Sequence, residues 1–182
     1  RTYILNHPFT LRLEACDLPL EAIHAASLDW YVFHREMAAS FSRLYKRFVD
    51  ISRTYVVIEE EYLERISNEL TRPMAGGRTI LLRNLLFAIG ISEVQVNDPP
   101  RSTDLRGLVA YLGRLHSEGT FAEVVAAQIG SALSPYARLW CKALDKQCGL
   151  SGEAIEYWAM NSRLDKDKEG GGALGTREEN AI

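Results

Sequence analysis

The segment Thr-Ile-Leu-Leu-Arg-Asn-Leu-Leu-Phe-Ala-Ile-Gly, residues 79–90, decides the fold class of this chain. Its apolar residues surround a helix on nearly every side, which is typical of a helix at the centre of a bundle. Gly90 stands where a glycine commonly ends a helix. We therefore predict a mostly buried helix over Thr79–Ile89. Its large apolar side chains should lie inside the protein, and these are Leu82, Leu85 and Phe87.

Helical spacing also precedes this segment. Asp17 and Pro19 are typical of a helix start, because an aspartate can cap the first turn and a proline loses no hydrogen bond there. The apolar spacing predicts a helix from Leu20 through the forties, with a break near Asp50. A second helix is predicted over 54–70, followed by a loop that contains Pro73 and two glycines.

Helical signals continue after Pro99-Pro100, where Ser102 or Thr103 is predicted to cap a helix that runs through Leu115. Residues 120–123 form a capping box, in which a threonine and a glutamate satisfy the free N–H groups of a first turn. That helix should kink or restart at Pro135 and run to Cys148. Gly149 should then end it, and Ser151 should cap a last helix over residues 153–169.

These signals predict an all-α fold, a single bundle of about six or seven helices, because no stretch alternates as a strand would. The bundle should span residues 1–169, and the Gly-rich segment 170–182 should be a flexible tail. The 182 residues, 47% hydrophobic and 25% charged, exclude a disordered chain. A net charge of -3 with scattered basic residues argues against a nucleic-acid partner, and no apolar run is long enough to predict a membrane span. Three cysteines without a C-x-x-C pair predict a reduced, cytoplasmic location.

The last predicted helix carries most of the candidate chemistry. Tyr157, Asn161, Asp165 and Lys168 follow at i, i+4, i+8 and i+11, so they share one face and can line a polar cavity. The alternative is a solvated helix end, since charge runs are usually exposed. Glu69 offers a further carboxylate for acid–base work, or it is an ordinary surface residue.

Several segments, taken in order, resemble the haem-oxygenase-like helical superfamily, which includes TenA thiaminases, PqqC-type oxidases and non-haem diiron oxygenases. The resemblance covers roughly residues 5–169 and implies that superfamily's helical fold around an internal site. The segments that carry it are His7-Pro8-Phe9, Leu28-Asp29-Trp30-Tyr31-Val32, Asn68-Glu69, Leu81 through Ile91, Gly149-Leu150-Ser151, and Tyr157-Trp158 with Asp165.

The resemblance also implies that the diiron site is largely lost. Glu69 matches the first carboxylate ligand of that branch, and Asp165 matches the last. The other ligand positions hold residues that bind iron weakly or not at all. They are Gly76 or Arg78 for the first histidine, Ser131 for the middle carboxylate, and Asn161 and Lys168 for the last two histidines. We therefore expect no tightly bound diiron centre and assign no cofactor, with iron binding as the less favoured alternative.

The other branches are matched in part. Asp29 corresponds to the pyrimidine-binding aspartate of the TenA branch and Tyr136 to its tyrosine, but Ala132 stands where the nucleophilic cysteine belongs. PqqC-type members work without metal through basic and tyrosyl groups. In this chain the corresponding candidates are His7, Arg78, Tyr136 and Lys168.

The resemblance predicts an oxidative small-molecule enzyme, or a relative of one, with an altered site. The alternatives are a non-catalytic small-molecule-binding or partner subunit and a TenA-like thiamine-salvage hydrolase. A homodimer is also expected. The catalytic candidates are Glu69, Tyr136, Asp165 and Lys168. The substrate-binding candidates are His7, Asp29, Tyr31, Arg78 and Asn161. An internal cavity should unite Asp29, Tyr31, Glu69, Tyr136, Asn161 and Asp165.

The missing imidazoles generate a first prediction. The protein purified after anaerobic iron loading should hold no stoichiometric iron, because Asn161 and Lys168 replace two histidine ligands. Elemental analysis and an iron titration check this. The paired variant Asn161→His and Lys168→His should gain iron, whereas stoichiometric iron in the unmodified protein would overturn the prediction.

Overall fold

The computed structural model describes residues 6–54, 60, 63–64, 67, 71, 77–100, 102–129 and 134–163. In these ranges the chain forms helices and connecting turns without a strand, so the predicted all-α class is confirmed. The elements are α1 (Pro8–Ala15), α2 (Leu20–Thr54), α3 (Gly77–Ala88), α4 (Glu93–Asn97), α5 (Thr103–Glu118), α6 (Phe121–Ile129), α7 (Ser134–Cys148), a 3-10 turn (Gly152–Ile155) and α8 (Glu156–Arg163). None of the helices in these ranges combines the length and the apolar character that a membrane crossing needs.

Two helices were not predicted. Helix α1 begins with Pro8 in its first turn, and the Nδ1 atom of His7 accepts a hydrogen bond from the backbone N–H of Phe9 at 3.3 Å. Helix α4 begins with a capping box between Ser92 and Gln95. Both helices are short, five to eight residues, so their apolar periodicity is too brief to predict them.

Helix α2 differs from its prediction at its end, because it continues through Asp50 to Thr54. Its 35 residues contain neither proline nor glycine, and a lone aspartate does not end a helix. Most of the helix predicted over 54–70 lies outside the described residues. The same holds for residues 130–133 between α6 and α7, and for 164–182, which include the predicted tail.

The capping predictions are mostly confirmed. The Ser102 hydroxyl accepts a hydrogen bond from the backbone N–H of Leu105 at 3.1 Å and so begins α5. The Thr120 and Glu123 side chains accept from each other's backbone N–H groups. Gly90 and Gly149 adopt left-handed backbone at the ends of α3 and α7. The prediction for Ser151 was wrong: its side chain makes no capping hydrogen bond, and a 3-10 turn precedes α8.

Helix α3 buries one side in the main core, as predicted, but it is not enclosed on every side. The side chains of Leu82 and Leu85 are fully buried, but the prediction for Phe87 was wrong, since its side chain is 42% exposed. Helix α3 packs against α2, α4, the 3-10 turn and α8. The face that holds Asn84, Phe87 and Ala88 remains open to solvent, and the Arg83 guanidinium lies 5.3 Å from the centre of the Phe87 ring.

The remaining helices assemble around α2 and α7. Helix α2 packs against α3 and α5, and α7 packs against α1 and α8. A second, smaller core joins the later part of α2 to α5 and α6. Its members are Leu44 and Val124, with Phe41, Tyr45, Leu115 and Phe121 packed against them.

The smaller core adjoins a buried polar contact between α2 and α5. The Ser40 hydroxyl and the Nδ1 atom of His116 form a hydrogen bond of 2.8 Å, and His116 is only 2% exposed. The guanidinium of Arg47 donates to the carbonyl oxygens of His116 and Gly119 at 2.6 and 2.8 Å. Burial lowers the pKa of His116 to about 4, and the charges of Arg43 and Arg47 add to this effect.

This contact predicts how the stability of the protein depends on pH. Between pH 6.5 and about 4 the unfolded chain binds a proton at His116 that the folded protein does not. The free energy of unfolding should therefore decrease as the pH falls through this window, by at most about 3 kcal/mol from this residue. Urea denaturation at a series of pH values measures it. His116→Asn keeps an acceptor for Ser40 but cannot titrate, and an unchanged pH profile in that variant would contradict the assignment.

Candidate functional site

The candidate site is built on α8, whose inner face is fully buried. Tyr157 and Trp158 are at most 1% exposed, and Asn161 is 6% exposed. Gly149 and Gly152 adopt left-handed backbone before α8, with φ of 65° and 58°. Glycine takes this conformation without a steric penalty. The chain can therefore turn sharply after α7 and place α8 against both α3 and α7.

The central contact of the site is a short hydrogen bond between α8 and α2. The Nε2 atom of His34 lies 2.6 Å from the hydroxyl oxygen of Tyr157. Both side chains are buried, and their rings meet edge to face with centres 5.3 Å apart. A phenol beside an imidazole can pass a proton between them, which is the basic requirement for acid–base chemistry.

Tryptophan rings surround this pair. The Trp30 ring stacks on the His34 ring, with centres 5.9 Å apart. The Trp158 ring packs edge to face on the rings of Tyr157 and Trp30, with ring centres 4.8 Å and 5.6 Å apart, respectively. On its other side Trp158 stacks on Trp140 at 5.0 Å with the ring planes only 5° apart. The His34–Tyr157 pair therefore lies beside a cluster of tryptophan rings.

Two polar atoms in this aromatic cluster are not satisfied. Within the described part of the chain, the indole N–H groups of Trp140 and Trp158 are buried and have no hydrogen-bond partner. The Tyr136 hydroxyl is close enough to Trp140 to interact with it electrostatically, but the two groups lack hydrogen-bond geometry. Burial raises the pKa of Tyr136, and this contact with Trp140 partly opposes the rise. Buried donors without a partner are uncommon, and a bound ligand or water is one cause.

Asn161 is one of the two residues that the sequence resemblance predicts at histidine positions of a diiron site. Its Nδ2 atom donates a hydrogen bond of 2.7 Å to the backbone carbonyl of Tyr157, one turn earlier in α8. The amide is therefore engaged within its own helix, and an amide is a poor substitute for imidazole as an iron ligand. Among the described residues, no three His, Cys, Asp or Glu side chains are grouped closely enough to hold a metal ion.

Three of the predicted site residues lie in the main core or beside the aromatic cluster. Tyr136 packs edge to face on Trp158, with ring centres 6.2 Å apart, and Asn161 lies one turn beyond Tyr157. Tyr31 is buried in the same core, where the Arg35 guanidinium lies 5.6 Å from its ring centre.

Other predicted residues lie elsewhere or outside the described part. The Asp29 carboxylate accepts a hydrogen bond of 3.0 Å from the Ser102 hydroxyl at the start of α5. His7 is exposed and caps α1, and Arg78 is half-buried in the first turn of α3. Glu69, Asp165 and Lys168 lie outside the described residues, so their predicted roles remain predictions. A shallow cleft of about 150 Å³ between α2 and α5 is lined by none of the predicted site residues.

Sequence reasoning did not identify His34, Trp30, Trp140 or Trp158 as site residues. A local signal existed for His34, because it follows Trp30 by four residues and both therefore lie on one face of α2. Trp140 follows Tyr136 by four residues, a spacing that favours a core position, and Trp140 is fully buried. The cysteines Cys16, Cys141 and Cys148 are free thiols and half-buried.

No known family model matches the sequence, and no curated protein is significantly similar to it.

The short hydrogen bond generates a stability prediction. Tyr157→Phe removes the hydroxyl from a buried hydrogen bond with His34 and should lower the free energy of unfolding by about 1–3 kcal/mol. Tyr111→Phe is the matched control, because Tyr111 is 58% exposed and its loss should change stability by less than about 0.5 kcal/mol. Urea denaturation of both variants measures the difference. Equal stabilities would show that the His34–Tyr157 bond contributes nothing.

Proposed function

We propose that this chain is a metal-independent relative of the PqqC and diiron-oxygenase branch of the haem-oxygenase-like superfamily. It binds a small planar molecule within its helical core and takes part in that molecule's oxidation. The observation that carries the proposal is the pair of buried, unpartnered indole N–H groups on Trp140 and Trp158. They adjoin a phenol–imidazole pair that can exchange a proton.

The unpartnered donors indicate the chemistry of the ligand. An indole N–H can only donate, so its partner must be an acceptor such as a carbonyl, carboxylate or quinone oxygen. Aromatic side chains dominate the surroundings, and flat aromatic molecules pack well against such rings. The best-fitting ligand class is therefore an aromatic compound that carries oxygen acceptors.

The branch of the superfamily is supported by the order of the motifs and by the side chain at position 161. The amide of Asn161 is engaged with the Tyr157 carbonyl, so this position supplies no imidazole to a metal. Acid–base chemistry then falls to His34 and Tyr157, both of which are buried beside the tryptophans. This assignment favours the metal-free mode of the PqqC type over the diiron mode.

Two alternatives differ in what they require. A non-catalytic small-molecule-binding or partner subunit would use the same aromatic cluster without turnover. The TenA-like hydrolase is less well supported, because Asp29 is engaged with Ser102 at a helix start.

The binding test uses metal-free protein with para-hydroxyacetophenone and para-hydroxybenzoate as probes, followed by saturation-transfer NMR and calorimetry. Replacement of Trp158 by benzothienylalanine keeps the ring size but removes the N–H group. It should weaken binding about fivefold or more, since a lost buried hydrogen bond costs about 1–3 kcal/mol. The same replacement at Trp30 is the matched control. The Trp30 ring lies in the same cluster, but its N–H is not one of the buried donors without a partner, so removal of that N–H alone should leave the affinity nearly unchanged.

Oxygen consumption with catechol separates the candidate functions. Binding with oxygen uptake above that of the heat-denatured protein supports an oxidative enzyme. Binding without uptake supports the non-catalytic alternative. The assignment of the site would be contradicted if neither probe bound. It would also be contradicted if the benzothienylalanine replacement at Trp158 did not weaken binding.

A further inference from the structure

We propose that Tyr157 is a one-electron redox site, whose phenol gives its electron to an external oxidant through the neighbouring tryptophans and its proton to His34. The proposal goes beyond ligand binding and does not require a ligand. It is carried by two features that meet at one residue, a short hydrogen bond to a base and a continuous series of aromatic rings.

The proton has a defined destination. Oxidation of a phenol makes its O–H strongly acidic, so the electron leaves easily only where a base receives the proton at once. The Nε2 atom of His34 lies 2.6 Å from the Tyr157 oxygen, at the short end of hydrogen-bond distances. With the ring proton of His34 on Nδ1, Nε2 is the acceptor and the transfer needs no movement of either side chain.

The imidazolium formed by this transfer has a stabilising neighbour. The Trp30 ring stacks on the His34 ring at 5.9 Å with the planes 25° apart. An aromatic face within about 6 Å attracts a cation, and this attraction is stronger in a desolvated site. A positive charge on the buried His34 is therefore partly compensated by Trp30.

The electron has a route towards the surface. Tyr157 and Trp158 have ring centres 4.8 Å apart, and Trp158 stacks on Trp140 at 5.0 Å. From Trp158 the next rings are Trp30 at 5.6 Å and Tyr136 at 6.2 Å, and both of these are half-buried. Electrons pass readily between aromatic rings in contact, so an oxidant at the surface need not reach the buried phenol.

In the complete step, the electron and the proton of Tyr157 go to different acceptors. A one-electron oxidant, for example a peroxyl radical, gains one electron and becomes an anion that water can protonate. Tyr157 loses that electron and its hydroxyl proton and becomes a neutral tyrosyl radical, while His34 becomes imidazolium. A one-electron reductant such as ascorbate then returns an electron, His34 returns the proton, and the phenol is restored.

The experiment uses the full chain and photogenerated tris(bipyridyl)ruthenium(III) as the oxidant, with chloropentaamminecobalt(III) as the irreversible electron acceptor. The unmodified protein should give a long-lived neutral tyrosyl radical in transient absorption and electron paramagnetic resonance. Tyr157→Phe should abolish the long-lived signal. Tyr111→Phe removes an exposed tyrosine and should leave that signal unchanged.

Two further measurements test the proton acceptor and the route. His34→Gln should lower the radical yield at least about tenfold, because a positioned base is lost, and Trp158→Leu should slow radical formation. Should either variant fail to fold, the unmodified protein in deuterated water still tests the acceptor. Radical formation should be slower there, and an exchangeable-proton coupling to the radical should change.

Several results would overturn the proposal. One is the absence of a long-lived radical in the unmodified protein. Another is a radical signal that persists after Tyr157→Phe. The third is a rate of radical formation that is the same in ordinary and deuterated water. A failure of the aromatic-ligand experiment would leave this proposal intact, because no ligand is present in the radical measurement.

Discussion

The architecture depends on one constraint, which is that α2 carries polar side chains among the residues that it packs against other elements. A buried polar group without a partner costs about 1–3 kcal/mol, so a partner on another element stabilises the position of that element against α2. Three polar residues of α2 each form a hydrogen bond with a different element, and these bonds fix where the three elements lie along α2. The pairs are His24 with the Ile89 carbonyl after α3, His34 with the Tyr157 hydroxyl of α8, and Ser40 with the His116 imidazole of α5.

Helix α2 also holds both ends of α5. At the start of α5 the Asp29 carboxylate accepts a hydrogen bond from the Ser102 hydroxyl. At its end the Arg47 guanidinium donates a hydrogen bond to the Gly119 carbonyl. Along α2 these two side chains are about 27 Å apart, and the two ends of α5 are about 26 Å apart, so the helices run parallel in matched register. The signs of the charges also suit the dipole of α5, with an anion near its N-terminus and a cation near its C-terminus.

Features that depend on neighbouring residues were predictable from the sequence. The burial of Leu82 and Leu85 follows from local periodicity, and the Thr120–Glu123 capping box follows from spacing alone. The exposure of Phe87 was not predictable, because it depends on which side of α3 the other helices leave uncovered. The sequence therefore determined the fold class and most helix starts, but not which faces pack together.

The candidate site could be predicted only in part, for the same reason. The face of the last helix that holds Tyr157 and Asn161 is visible in the sequence as a four-residue spacing. The partner of Tyr157 is His34, which is 123 residues away in the chain. No local pattern connects residues at that separation, so the central hydrogen bond of the site appears only once the helices are packed.

The chemistry proposed for this interior follows from where its imidazole lies. A histidine binds a metal through a nitrogen lone pair, but the Nε2 atom of His34 lies 2.6 Å from the Tyr157 hydroxyl. One turn beyond Tyr157, the Asn161 amide is engaged with the backbone of α8. An imidazole that faces a phenol within an aromatic cluster is suited to moving a proton together with an electron. On the proposals made above, the organic side chains of α2 and α8 therefore supply the reactivity that iron supplies in the resembled diiron enzymes.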